Sequence, residues 1–96
     1  MKIAVTYQDG DIFQHFGHTE FFKIYDIENT EIVKTEIVST NGSGHGALAQ
    51  FLHEHSVDTL ICGGIGGGAQ LALSQAGIKL YGGVTGKADD AVNALL

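Results

Sequence analysis

The sequence predicts an α/β domain built on a five-stranded mixed sheet flanked by helices, in the order βββαβαβα. Three observations carry this. The first forty residues hold three stretches of two-residue alternation. The remainder alternates short apolar runs with stripes of helical period. A hairpin followed by strand-to-helix units demands a sheet with both antiparallel and parallel neighbours. Ninety-six residues suffice for one core, so residues 1–96 are read as a single domain.

Ile3, Val5 and Tyr7 alternate with Ala4 and Thr6, the period of a strand, until Asp9-Gly10-Asp11 breaks it. After the loop QHFGH, residues 14–18, FFKIYDI alternates again. EIVKTEIV follows across a few polar residues around Asn29-Thr30, so the second and third strands pair as an antiparallel hairpin. Residues 39–46, STNGSGHG, are turn-formers throughout, and from Ala47 the pattern turns helical. Ala47, Leu48, Phe51, Leu52 and His55 then share one face, Gln50 and Glu54 lie toward its edge, and His53 is opposite. TLICGG reads as a buried fourth strand. Ala69, Ala72, Leu73 and Ala76 form the next helical stripe, with Gly77 in the C-cap position. IKLYGGV is the fifth strand. Ala88, Ala91, Val92 and Leu95 line a last helix, with Asp89 and Asp90 in its first turn, where acids suit the helix dipole.

Hydrophobic residues make up 44% and charged ones 17%, a globular composition, and no apolar run approaches the ~18 residues of a membrane span. The amino terminus turns polar after a few residues, unlike a secretory signal, and the single Cys62 has no internal disulfide partner. A cytoplasmic protein is expected. Net charge is −6 and all five basic residues are lysines, which argues against nucleic acid as a partner. An anionic ligand would need backbone N–H groups to supply the positive potential.

In sheets of this class ligands sit in the loops beyond the carboxyl ends of parallel strands. Those loops are QHFGH, after the first strand, and CGGIGGGA, after the fourth. GIGGGA, residues 64–69, fits the G-x-G-x-x-A dinucleotide turn, but the region that should supply a ribose-binding acid reads YGGVTG. GKA at residues 86–88 is not a P-loop, because Tyr81 stands where its first glycine belongs. The glycine run does supply unhindered N–H groups at a helix amino terminus, a place for a compact anion or an anionic metal cluster. Tight packing would explain one or two of these glycines.

The histidines divide by geometry. His53 and His55, two apart on a helix, point to different faces and are read as structural. His15, His18, His45 and Cys62 all lie in or beside loops, and imidazole with one thiolate is a soft ligand set. Their spacing leaves open whether they converge or serve separate structural ends. Asp9, Asp11, Asp58 and Asp89 or Asp90 offer a competing site, two divalent ions for phosphodiester hydrolysis. Turn and helix-dipole roles account for most of them.

The runs QHFGHTEFFKIYD, GHGALAQFL and ICGGIGGGAQLALSQAGIKLYGGVTGKADDAV together resemble the dinitrogenase iron-molybdenum cofactor biosynthesis family, of the NifX and NifB carboxyl-terminal type, over nearly the whole chain. The resemblance implies a ribonuclease H-like fold. It also implies binding of an iron-sulfur or iron-molybdenum cluster, or a precursor, as a nitrogenase accessory and not as an enzyme. Delivery would be to an acceptor protein, with a donor or acceptor of cluster assembly as partner. Neither nucleic acid nor membrane is an expected partner, and the chain itself is expected to be a monomer or weak homodimer, with Leu71 a candidate contact. Carried over residue by residue, the metal positions are His15, His18, His45 and Cys62. The cofactor-binding glycines are Gly44 and Gly46 around His45, and Gly63, Gly64, Gly66, Gly67 and Gly68. The two loops should then face one another across a common cleft, with Cys62 ending the fourth strand, His45 entering from the next loop, and Phe13, Phe16, Phe21 and Phe22 divided between shielding the cluster and packing the core. A metal-dependent phosphoesterase on a ribonuclease H-like sheet and a small-anion binding module are the competing readings.

Overall fold

The computed structural model describes residues 1–42 and 45–96, without the side chains of 45 and 46. Strands β1 (Lys2–Gln8), β2 (Asp11–Ile12), β3 (Phe21–Glu28) and β4 (Glu31–Ser39) come first. Helix α1 (His45–Glu54), strand β5 (Thr59–Ile61), helix α2 (Gly67–Gln75), strand β6 (Lys79–Tyr81) and helix α3 (Ala88–Leu95) follow. The sheet is mixed and ordered β4-β3-β1-β5-β6: β3 is antiparallel to β1 and to β4, while β1, β5 and β6 are parallel.

A sixth strand departs from the sequence reading. Asp9 and Gly10 have φ of 50° and 91°, which reverses the chain so tightly that β2 pairs back onto the end of β1. Its two residues leave too short an alternation to be visible in sequence.

The central strand β1 is buried on both faces, because helices cover both. Ala4 belongs to a core with Phe22, Ile24, Leu48, Leu52, Leu60 and Leu73, beneath α1 and α2. Ile3 and Val5 face the other way, into a core with Tyr25, Ile61, Ala88 and Val92 beneath α3. The small Ala4 opposite larger neighbours lets α1 and α2 approach the sheet.

Helix α1 is set differently from the predicted wheel. It begins at His45, two residues early, and buries Leu48, Ala49 and Leu52 while Ala47 is exposed. His53 is exposed as expected, and His55 stacks on Phe51 with ring centroids 4.3 Å apart. Helix α2 does bury Leu73 and half-bury Ala69, Ala72 and Ala76, and Gly77 ends it at φ 75°, where Ile78 N–H donates back to the Leu73 carbonyl. In α3, Ala88 and Val92 are buried but Leu95, in the last turn, is exposed. No helix among the described residues is long and apolar enough to cross a membrane.

Candidate functional site

The loop after β1 is held from four sides before it reaches its histidines. Phe13 N–H donates to the Thr6 carbonyl at 2.9 Å, and the Thr6 hydroxyl donates back to the Phe13 carbonyl at 2.8 Å. Gln14 spends its side-chain amide on the Ile12 and Val84 carbonyls, at 3.0 and 3.1 Å. His15 forms an isolated parallel bridge with Gly64: Gly64 N–H donates to the Gln14 carbonyl at 2.8 Å and Phe16 N–H to the Gly64 carbonyl at 3.1 Å. The two loops beyond the parallel strands therefore face each other, as the sequence argument expected.

From that bridge the chain enters a single 3₁₀ turn, Phe16–His18, with His15 as its first cap. Residues three apart eclipse one another in such a turn. Phe16 goes inward, 2% exposed, against Phe22 at 6.4 Å between ring centroids. His15 and His18 stay outside as exposed residues. The Thr19 hydroxyl locks the turn through the Phe16 carbonyl at 2.7 Å. Phe13 stands edge-on to the His15 ring, with centroids 6.0 Å apart.

Between these histidines and the start of α2 lies a cleft of about 550 Å³, lined by His15, Phe16, Gly17, His18, Gly64, Ile65, Gly66, Gly68, Ala69 and Ala72. Among the described residues none that lines it is acidic, although the chain carries a net charge of −6. Its electrostatics come from two imidazoles and from the first-turn N–H groups of α2, for which no carbonyl inside the helix is available. A second hollow of about 490 Å³ contains Asp9 and Glu20 with Tyr7 and Phe21, an unsuitable lining for an anion.

The glycines of this loop have two different reasons. A Cβ on Gly63 would stand 2.7 Å from Gln14 Cα, and one on Gly64 3.0 Å from the Gln14 carbonyl oxygen, so these two let the loops touch. Cβ atoms on Gly66, Gly67 or Gly68 would meet nothing within 4 Å. Packing leaves those three unexplained.

Other predicted site residues lie elsewhere. Cys62 is fully buried among Phe16, Leu60 and Leu73, does not line the cleft, and has its thiol pushed up to about 11 by burial. In this arrangement Cys62 packs in the core and does not face the cleft. Gly44 and the side chain of His45 lie outside the described residues, and Gly46 is described only as part of α1. Among the described residues no three His, Cys, Asp or Glu side chains gather to hold one ion. Of the four phenylalanines, Phe16 and Phe22 are core and Phe21 lies at the other hollow, which leaves Phe13 beside the histidines.

Three carboxylates of the competing hydrolytic reading are engaged elsewhere, while Asp9 shares a hollow with Asp11. Asp11 pairs with Lys87 at 3.0 Å, Asp58 accepts from Lys2 N–H at 2.8 Å, and Asp89 accepts from Lys23 and Tyr25. Sequence reasoning missed Gln14, the clamp between the loops. Ala69 and Ala72 pack against the core as the sequence suggested, and both also line the cleft. Small size served both purposes, so composition could not separate them.

Comparison with known proteins agrees with the resemblance. An uncharacterised protein of Methanocaldococcus jannaschii is 32% identical over 101 residues, covering 100% of this chain and 86% of the relative. The crystal structure of PH0822 superposes with a TM-score of 0.93 at 28% identity, covering 99% of this chain and 88% of that one. The apo form of the orange protein from Desulfovibrio gigas gives 0.84 at 28% identity, covering 98% and 85%. The family model for dinitrogenase iron-molybdenum cofactor proteins matches residues 1–96, from end to end. The chain belongs to the dinitrogenase iron-molybdenum cofactor family.

Proposed function

We infer that the protein binds an iron-sulfur or iron-molybdenum cluster, or a precursor of one, in the cleft between the two loops and carries it to an acceptor protein. The observation that supports this most is the pairing of His15 and His18 with the open glycine terminus of α2, across a cleft without an acid. Such clusters are compact and anionic. First-turn amides stabilise their charge, and one or two imidazoles fix their position. With Cys62 in the core, the described protein ligands are few, which suits a carrier that must release its cargo. Ala69 and Ala72 provide a low floor, and Phe13 limits the swing of the His15 ring. The ribonuclease H-like assignment of the sheet belongs to the same reading.

The test is anaerobic loading followed by desalting, with iron, molybdenum and sulfide analysis. His15→Ala and His18→Ala should each lower cargo retention at least tenfold with an unchanged circular dichroism spectrum. His53→Ala, on the exposed face of α1, should retain it fully. Equal retention in all three variants would show that the histidines are structural.

A further inference from the structure

Strand β4 ends the sheet: among the described residues no strand pairs with its outer side. An edge of this kind presents a row of backbone N–H and C=O groups to any strand of matching register. Nine residues long and without proline, β4 reads Glu31-Ile32-Val33-Lys34-Thr35-Glu36-Ile37-Val38-Ser39. Outward from Thr35 it is its own antiparallel complement. Lys34 and Glu36 stand one residue either side, Val33 and Ile37 two, Ile32 and Val38 three.

A second copy laid antiparallel, with a two-fold axis at Thr35, therefore places Lys34 against Glu36 twice and brings Val33 near Ile37 twice. Val33 and Ile37 are 54% and 53% exposed. The register is specified by charge. Sliding one strand by two residues puts Lys34 opposite Lys34, or Glu36 opposite Glu36. Charges on edge strands ordinarily repel a second sheet. Here they repel the two-residue slip in either direction. Ile37 also borders the hollow formed with Tyr7, Phe13 and Phe21, so the apolar strip continues inward from the edge.

We propose that the protein self-associates through β4, forming a symmetric dimer with one continuous sheet. The irregularity between Asp26 and Ile27 places Val33 as an extra residue in β4, which bends the start of the strand. Regular pairing is thereby confined to its central residues, and the dimer is a weak one. This interface is independent of the cargo cleft, which lies at the loops beyond β1 and β5.

Sedimentation equilibrium on the whole protein up to about 1 mM tests it. The weight-average mass of the wild type should rise toward twice the monomer. Lys34→Glu and Glu36→Lys should each weaken association at least tenfold. Mixed in equal amounts, these two variants should recover it, because every cross-pair is again of unlike charge. Thr35→Cys should cross-link to itself under mild oxidation faster than Glu31→Cys, since only residue 35 meets its own copy. A wild type that stays monomeric up to the highest concentration, folded charge variants whose mixture stays monomeric, or faster cross-linking at residue 31 would each overturn the proposal.

Discussion

The Tyr25 hydroxyl donates to the Asp89 carboxylate at 2.5 Å, tying the middle of β3 to the first turn of α3, and Lys23 donates to the same oxygen at 2.8 Å. Asp89 thus does more than complement a helix dipole. Its carboxyl is held below the usual carboxylate range by the Lys23 and Tyr25 hydrogen bonds, while burial and the adjacent carboxylate push the Tyr25 hydroxyl well above its ordinary value.

Both shifts set signs for stability against pH. For Asp89 the folded value lies below the unfolded one, so its contribution is present above pH ~4 and is lost as acid protonates the folded carboxylate. For Tyr25 the folded value lies above the unfolded one, so its contribution is complete below pH ~10 and is lost as pH rises further. Melting temperature against pH should fall at both ends. Asp89→Asn should flatten the acid limb, and Tyr25→Phe the alkaline one. At neutral pH, Asp89→Ala should cost about 1–3 kcal/mol, since it strands the tyrosine hydroxyl.

Two glycine substitutions should separate architecture from binding. Gly63→Ala drives a methyl into Gln14 Cα and should destabilise by about 1–3 kcal/mol. Gly68→Ala has open space in the first turn of α2 and should leave the melting temperature unchanged or raised. Since Gly68 lines the cleft, the same change should reduce cargo retention. Thermal melts and metal analysis on the two variants measure both effects.

Cys62 should react with alkylating reagents only as fast as the protein opens, because its thiol is fully buried and remains protonated at neutral pH. Labelling rates in native buffer and in denaturant make the comparison. Rapid labelling of the native protein would mean that Cys62 reaches the surface.

The β3–β4 hairpin turns on Asn29 and Thr30, with φ of 52° and 64°. Asparagine tolerates this region, but a β-branched residue is strained there. Thr30→Gly should stabilise by about 1 kcal/mol, readable as a shift in denaturant midpoint.

Helix ends show how far the sequence was legible. The end of α2 was visible because glycine occupies the left-handed position, Gly77. At the end of α1 the same return bonds form, Ser56 N–H to His53 and Val57 N–H to Leu52, but around Ser56 at φ 60°, which advertises nothing. The hairpin, the helices and the meeting of the two loops followed from period and turn chemistry. The burial of Cys62 was not legible, because residue type signals ligand chemistry while only the packing shows where the thiol lies. Gln14 stayed hidden because its partners, Ile12, Gly63 and Val84, lie mostly on other elements.

About half the chain separates His15 from Gly64, the residues whose bridge closes the cleft. During synthesis the histidines leave the ribosome first, and nothing stands opposite them until β5 and the glycine turn have emerged. The cleft is consequently absent from every nascent fragment that stops short of α2.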